Sequence, residues 1–182
     1  SIPNIVDEIE QLRRMDKRKV IYFKDDTLTT YSPQWFKEFG DELKRRKLKI
    51  KWGCNARVDT VDREKLELMK ASGCAGLAFG VESGSQKILD FYSKGIKVPQ
   101  AIMAFDLCRK LKLQTLAFLM LGAPIETRED MEMTYQLVRR IKPDLWFLFI
   151  ATPFPGNHLH EYAKKRGIIK ISNYIEYDNA QN

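Results

Sequence analysis

Short apolar segments alternate with amphipathic segments along almost the whole chain. Residues 20–23, Val-Ile-Tyr-Phe, are typical of the first kind, because they are rich in β-formers and too short for a helix. Such runs predict strands buried inside a sheet. Five are expected, at residues 20–23, 50–53, 77–81, 115–121 and 145–150.

The amphipathic segments predict helices, and several begin at residues that favour helix starts. Ser32 followed by Pro33 is expected to open one helix, and Asp62 and Ser85 are expected to cap two more. Thr127 with Asp130 three residues later resembles a capping box with Asp in place of Glu. The predicted helices lie at residues 5–15, 33–43, 63–72, 86–91, 98–111, 128–141 and 158–166.

The predicted order is one helix followed by five strand–helix units. This alternation favours a single α/β domain with a parallel sheet and right-handed crossovers. Because such an architecture normally begins with a strand, the leading helix predicts that a first strand is missing and that one sheet edge is open. We expect an incomplete barrel domain over residues 1–171, a polar tail over 172–182, and a dimer partner or other contact on the open edge.

Polar residues follow each predicted strand, and parallel strands bring these positions together at one edge of the sheet, where ligands bind in such folds. Asp25 and Asp26 are candidates, although either could be only a turn residue or helix cap. Arg57 offers a partner for a ligand carboxylate, or simply pairs with Asp59 or Asp62. The further candidates are Ser83, Gly122 and Thr152, and also Lys24, Thr27, Asn55, Pro124, Glu126, Thr127, Pro153, Pro155 and Gly156.

Glu82 is the strongest of these candidates. It directly follows five mostly apolar residues, so its carboxylate begins near the buried sheet and needs a partner there. Familiar phosphate-binding glycine loops and nucleophile motifs are absent from the sequence. The residues alone therefore predict a ligand site at the rim of a sheet, with no chemistry assigned.

Composition narrows the class of protein. The chain has 182 residues, and no apolar run in it is long enough to span a bilayer. Its three cysteines are far apart, which favours a reducing compartment, and we expect a cytoplasmic protein. The net charge of +7 leaves an RNA-binding α/β module open, but basic residues clustered at helix ends explain that charge equally well.

Six short motifs occur in register along nearly the whole chain. Taken together they resemble radical S-adenosylmethionine enzymes, and most closely the subgroup that often carries a cobalamin-binding domain. Anaerobic magnesium-protoporphyrin IX monomethyl ester cyclase and class B methyltransferases belong to that subgroup. The motifs are residues 25–29 (DDTLT), 52–59 (WGCNARVD), 73–74 (GC), 79–85 (FGVESGS), 121–127 (LGAPIET) and 152–156 (TPFPG).

The resemblance implies a partial (βα)6 TIM-like barrel that binds S-adenosylmethionine and a [4Fe–4S] cluster. It also implies a small-molecule substrate, a reductant such as ferredoxin or flavodoxin, and in some members cobalamin on another domain. In this family three cysteines spaced Cys-x-x-x-Cys-x-x-Cys after the first strand hold the cluster. Cys54, Cys74 and Cys108 do not form that motif, so we expect the cluster cysteines upstream of Ser1 and no activity from this part of the catalytic domain alone.

The resemblance also implies roles for the rim residues. Asp25 and Asp26 fall in the region that contacts the methionyl amino group, although the glycines of the family pattern are absent here. Arg57 is a candidate partner of the carboxylate. Glu82 and Ser83 fall where polar groups contact the ribose or the methionyl group.

The last two strands are expected to complete the same site. Leu119 and Gly122 fall where the family lines the adenine, and Thr152 falls near the adenine or the substrate. The identity of the substrate is not predicted. A nonradical barrel enzyme with the same rim remains an alternative, and the sequence upstream of Ser1 would distinguish it.

Overall fold

The computed structural model describes residues 1–15 and 20–169, and the predicted polar tail lies outside the described residues. Within them a five-stranded parallel sheet has the order β1-β2-β3-β4-β5. This confirms the predicted α/β class and the position of every predicted strand. The strands are β1 Val20–Phe23, β2 Lys51–Ala56, β3 Cys74–Glu82, β4 Gln114–Leu121 and β5 Leu145–Ile150.

Seven α-helices lie within the described residues, and most begin where the sequence predicts. Ser32, Asp62 and Thr127 each accept a hydrogen bond from a backbone N–H of the first turn, and the capping box of Thr127 with Asp130 is present. They are α1 Ile2–Met15, α2 Pro33–Arg45, α3 Arg63–Ala71, α4 Gln86–Phe91, α5 Val98–Lys110, α6 Arg128–Ile141 and α7 His158–Lys165.

The hydrophobic core lies between the sheet and the layer of helices on its outer face. Trp52 on β2 is fully buried and contacts the rings of Phe36 and Phe39 on α2, at centroid distances of 6.3 and 6.0 Å. Cys54 is also buried in this core. This aromatic cluster fixes the first half of the sheet, and with it the carboxyl ends of β1 and β2.

The opposite face of the sheet carries no helices among the described residues and forms the inner surface of a partial barrel. A cavity of about 560 Å³ runs along it. Gly53, Gly76 and Ala78 form its floor, and the larger side chains of Tyr22 and Phe118 stand on either side. Small residues in the middle strands therefore leave the barrel interior open.

Strand β5 differs from its predicted environment. Its six consecutive apolar residues predict burial, but all six are exposed, by 45 to 71%. One face of β5 belongs to the open inner side of the sheet, and α7, which follows β5, packs on α4 instead of the other face, where His158 and Tyr162 contact the ring of Phe91 at 5.3 and 5.2 Å. On the opposite edge Val20 of β1 is 67% exposed, in keeping with the open edge expected from the sequence.

Basic residues occupy the last turns of most helices. Pairs such as Arg13 with Arg14 on α1 and Lys44 with Arg45 on α2 lie where cations interact favourably with the helix dipole. The same arrangement recurs on α5, α6 and α7. This accounts for much of the positive charge without a nucleic-acid partner. Among the described residues, no helix combines the length and apolar composition that crossing a membrane requires.

Candidate binding site at the carboxyl edge of the sheet

A polar cavity of about 270 Å³ opens where the first four strands end. Its walls come from the carboxyl ends of β1 to β4 and from the loop between α4 and α5. This is the edge at which parallel α/β sheets bind ligands. The lining residues are Asp26, Thr27, Asn55, Ala56, Arg57, Ala78, Gly80, Glu82, Lys94, Ile96 and Phe118.

Glu82 ends β3 in an uncommon backbone conformation. Its φ is +64°, and the N–H of Ser83 donates to the carbonyl of Val81 at 2.8 Å, which closes a tight turn around Glu82. The pairing of β3 with β4 shifts between Gly80 and Glu82. A Cβ on Gly80 would lie 3.0 Å from Oε1 of Glu82, so the glycine leaves room for the carboxylate to fold back over the strand end.

Lys94 is the direct partner of Glu82. Its Nζ donates to Oε1 of Glu82 at 2.8 Å, and the Lys94 and Glu82 side chains are 37% and 15% exposed. Lys94 is not among the residues predicted from the sequence, because it lies twelve residues away on a loop and resembles many other lysines. A carboxylate and an ammonium therefore stand side by side in one cavity. This arrangement is complementary to a zwitterionic ligand that carries both an amine and a carboxylate.

Arg57 is held by Asp59, which is one of the two alternatives left open by the sequence. Two of its nitrogens donate to the Asp59 carboxylate at 3.0 and 2.8 Å. These hydrogen bonds raise the pKa of Arg57 and lower the pKa of Asp59. Arg57 also donates to the backbone carbonyl of Lys94 at 3.0 Å. Arg57 therefore lines the cavity and anchors the loop that carries Lys94.

Asp25 and Asp26 lie at different positions relative to the cavity. Asp26 is exposed and lines it. Asp25 accepts from the backbone N–H of Thr27 at 3.2 Å, as a turn residue does, and lines a separate cleft against α1 and α2. The hydroxyl of Tyr22 on β1 donates to Oδ1 of Asn55 on β2 at 2.6 Å, which orients the Asn55 amide at the cavity wall.

The structure does not bring the other four predicted residues into the lining of this cavity. Ser83, in the loop that follows β3, is fully buried. Leu119 is buried among core residues on the helix-facing side of β4. The N–H of Gly122, at φ +91°, donates to the Glu126 carboxylate. Thr152 donates to the carbonyl of Ile150 at 3.2 Å. Of the residues to which the resemblance assigns a role, Asp26, Arg57 and Glu82 line the cavity, together with two other rim candidates, Thr27 and Asn55.

Two buried polar atoms near the rim lack a hydrogen-bond partner within the described part of the chain. They are the hydroxyl of Tyr92 and Oε1 of Glu126. Burial, followed by the charges of Glu126 and Glu82, raises the pKa of Tyr92 above its ordinary value. Because buried polar atoms are normally paired, this end of the rim fits an additional polar atom from water or a ligand.

The three cysteines do not fit an iron–sulfur cluster. Cys54, Cys74 and Cys108 are all buried, and burial raises the pKa of Cys74 and Cys108 to about 12. A cluster needs thiolates at one place, whereas these thiols resist deprotonation. No group of three residues suited to hold a metal ion occurs among the residues that the structure describes.

Reconstitution with iron and sulfide is therefore expected to give these 182 residues no stoichiometric [4Fe–4S] absorbance. The three thiols are buried in the folded chain, and the described residues contain no group of three side chains placed to hold a metal ion. The measurement is the visible absorbance with iron and sulfide counts per chain. A matched triple Cys→Ala variant should give the same low iron content. One cluster per chain that disappears in the triple variant would contradict this interpretation.

Comparison with known proteins finds relatives that match nearly the whole chain. The chain is 33% identical over 177 residues to an uncharacterized methyltransferase of Pyrococcus horikoshii, covering 97% of this chain and 38% of that protein. It is 32% identical over 179 residues to the anaerobic magnesium-protoporphyrin IX monomethyl ester cyclase of Cereibacter sphaeroides, covering 96% and 29%. The chain thus spans about a third of the length of these curated relatives.

The fold is similar to that of solved radical enzymes. The methyltransferase TsrM of Kitasatospora setae, solved with cobalamin and a [4Fe–4S] cluster bound, superposes with a TM-score of 0.80 at 16% identity. The alignment covers 94% of this chain and 35% of TsrM. Residues 1–138 match the radical SAM superfamily. Through that match, and through relatives at 32 to 33% identity along nearly its whole length, this chain belongs to the radical SAM superfamily.

Proposed function

We propose that this chain forms the S-adenosylmethionine-binding part of an enzyme that cleaves S-adenosylmethionine reductively and uses the radical on an organic substrate. The observation that carries the proposal is the Glu82–Lys94 pair, which lines the polar cavity at the carboxyl edge of the sheet. The methionyl end of S-adenosylmethionine is a zwitterion. Its amine matches the Glu82 carboxylate, and its carboxylate matches the Lys94 ammonium.

The remaining walls suit the rest of that ligand. Asp26 and Asn55 offer groups that can bond ribose hydroxyls, and Ile96 with Phe118 offers apolar surface for the adenine. Gly80 leaves this end of the cavity free for a ligand, because the Cβ of any other residue would occupy the space beside the Glu82 carboxylate. Arg57 acts in this proposal by holding the Lys94 backbone. Asp25, Ser83, Leu119, Gly122 and Thr152 would act through the backbone or through support of neighbouring loops.

The [4Fe–4S] cluster would supply the electron that cleaves S-adenosylmethionine, but the three cysteines of this chain do not fit it. We therefore propose that its ligands lie outside these 182 residues, and that the whole enzyme takes the electron from a reductant such as ferredoxin or flavodoxin. Relatives named as methyltransferases and as a cyclase support methyl transfer or oxidative cyclisation on a small molecule. The cobalamin bound by TsrM supports cobalamin on another domain.

Titration of this chain with S-adenosylmethionine tests the proposal. Saturable NMR shifts are expected at the amides of residues 80–82 and 94, with a dissociation constant in the millimolar range because cluster contacts are absent. Lys94→Met should weaken binding roughly tenfold, the loss expected for one charge-assisted hydrogen bond. Lys97→Met is the matched control, since Lys97 lies on the same loop as Lys94 and pairs with Asp90 of α4 at 3.5 Å, but does not line the cavity. Shifts absent from these residues, or equal effects of both variants, would overturn the proposal.

A further inference from the structure

A second polar cluster, buried behind the rim, joins the loop after Glu82 to helix α6. The Asp130 carboxylate on α6 is only 6% exposed. It accepts from the Ser85 hydroxyl at 2.6 Å and from the backbone and hydroxyl of Thr127 at 2.9 and 2.8 Å, and it pairs with Lys87 at 2.5 Å. The Lys87 ammonium, followed by the Ser85 hydroxyl, holds the pKa of Asp130 well below its ordinary value. Asp130 therefore joins the loops that follow β3 and β4.

Thr134, one turn further along α6, makes the second connection. Its hydroxyl donates to the Asp130 carbonyl at 3.1 Å and accepts from the backbone N–H of Gly84 at 2.9 Å. The Ser83 hydroxyl lies 3.1 Å from the Thr134 hydroxyl. Because the only hydroxyl hydrogen of Thr134 is donated to Asp130, Ser83 is the donor in this pair, and the Ser83 oxygen accepts from the N–H of Ser85. Every hydroxyl of this cluster is thus paired, and the loop at residues 83–85 has its polar groups fixed by α6.

The contacts between residues 83–85 and α6 hold the tight turn at Glu82. A non-glycine residue at φ +64° inside a three-residue turn is strained, and such strain persists only where the surroundings hold it. Ser83 closes the turn through its N–H and is held by Thr134 through its hydroxyl. Release of Ser83 would let the backbone relax, and the Glu82 carboxylate would leave its place opposite Lys94.

We propose that Thr134 and Asp130 are positioning residues that hold the strained turn at Glu82 and so aim its carboxylate into the cavity. The expected effect on S-adenosylmethionine binding rests on the proposed function. The hold that Thr134 and Asp130 exert on the Glu82 turn does not depend on it. Helix α6 then has two roles. It contributes Leu137 and Ile141 to the hydrophobic core, and it sets the geometry of residues 82–85, which we call the binding loop.

Thr134→Val tests the inference, because it removes the hydroxyl and keeps nearly the same shape. The amides of residues 82–85 are expected to exchange hydrogen roughly tenfold faster than in the wild-type chain, and S-adenosylmethionine should bind roughly tenfold more weakly. Thr134→Ser, which keeps the hydroxyl, should restore both values. Hydrogen exchange and NMR titration on the whole chain are the measurements.

Thr115→Val is the matched control. Thr115 is also buried, and its hydroxyl donates to the Asp144 carboxylate at 3.0 Å. It lies at the start of β4, at the opposite edge of the sheet from Glu82. It should lower the denaturation midpoint as Thr134→Val does, while the exchange of residues 82–85 stays at the wild-type rate. Equal exchange at residues 82–85 in the two valine variants would overturn the inference. Absence of S-adenosylmethionine binding by the wild-type chain would instead count against the proposed function, and the exchange rates would still decide the positioning role.

Discussion

Replacing Gly84 by alanine is expected to lower the free energy of unfolding by about 3 kcal/mol, the upper range for overpacking a tight site. A Cβ at this position would lie 2.3 Å from the carbonyl oxygen of Met133 and 2.7 Å from the Cα of Thr134. Both are backbone atoms of α6, so no side-chain rotation can relieve the clash. Urea denaturation followed by circular dichroism measures the loss.

Gly95→Ala provides the contrast for this experiment. Gly95 has φ +67°, and no atom lies within 4 Å of the position that an alanine methyl group would take, so its substitution costs only the left-handed backbone conformation, about 1 kcal/mol. The two variants separate contact with α6 from backbone strain. A Gly84→Ala chain as stable as the Gly95→Ala chain would mean that the binding loop does not rest directly on α6.

The order of elements could be predicted because local patterns determine it. Val20–Phe23 is apolar and short, and Thr127 with Asp130 forms a recognisable helix start. These features depend on residues near one another in sequence. The parallel arrangement then follows from the alternation of strands and helices, since each crossover returns the chain to the same edge.

The direction of side chains at the strand ends is harder to predict, but for Phe118 and Leu119 on β4 the sequence contains the necessary information. Successive residues of a strand point to opposite faces. Phe118 faces the open side of the sheet and lines the cavity, so its neighbour Leu119 has to face the helices, where it is buried. Alternation alone would therefore have favoured Phe118 over Leu119 as a residue whose side chain lines the site.

Contacts between loops that are far apart in sequence cannot be predicted from local patterns. Ser85 has the sequence context of a helix cap, and it occupies that position, but its hydroxyl donates to Asp130 forty-five residues away. Lys94 likewise reaches Glu82 only because α4 is short and its loop turns back over β3. Apolar content similarly predicts burial for Leu145–Ile150, but burial requires a covering element, and α7 packs elsewhere.

Glu82→Lys is expected to weaken S-adenosylmethionine binding about 100-fold, because it removes the partner of the ligand amine and places a second cation beside Lys94. The wild-type pair is 2.8 Å apart. The variant should also lose roughly 1 kcal/mol of stability, since the pair is partly exposed. NMR titration measures the first effect and urea denaturation the second.

The charge-exchanged double variant, Glu82→Lys with Lys94→Glu, separates an ion pair that only stabilises the loop from one that recognises a ligand. Its opposite charges are again adjacent, so stability should return close to the wild-type value. Binding should stay weak, because the amine and the carboxylate of S-adenosylmethionine have fixed positions relative to the adenosyl group and would each meet a like charge. Recovery of binding together with stability would show that the pair acts only on the loop. Recovery of stability alone assigns Glu82 and Lys94 to the two ends of a zwitterionic ligand.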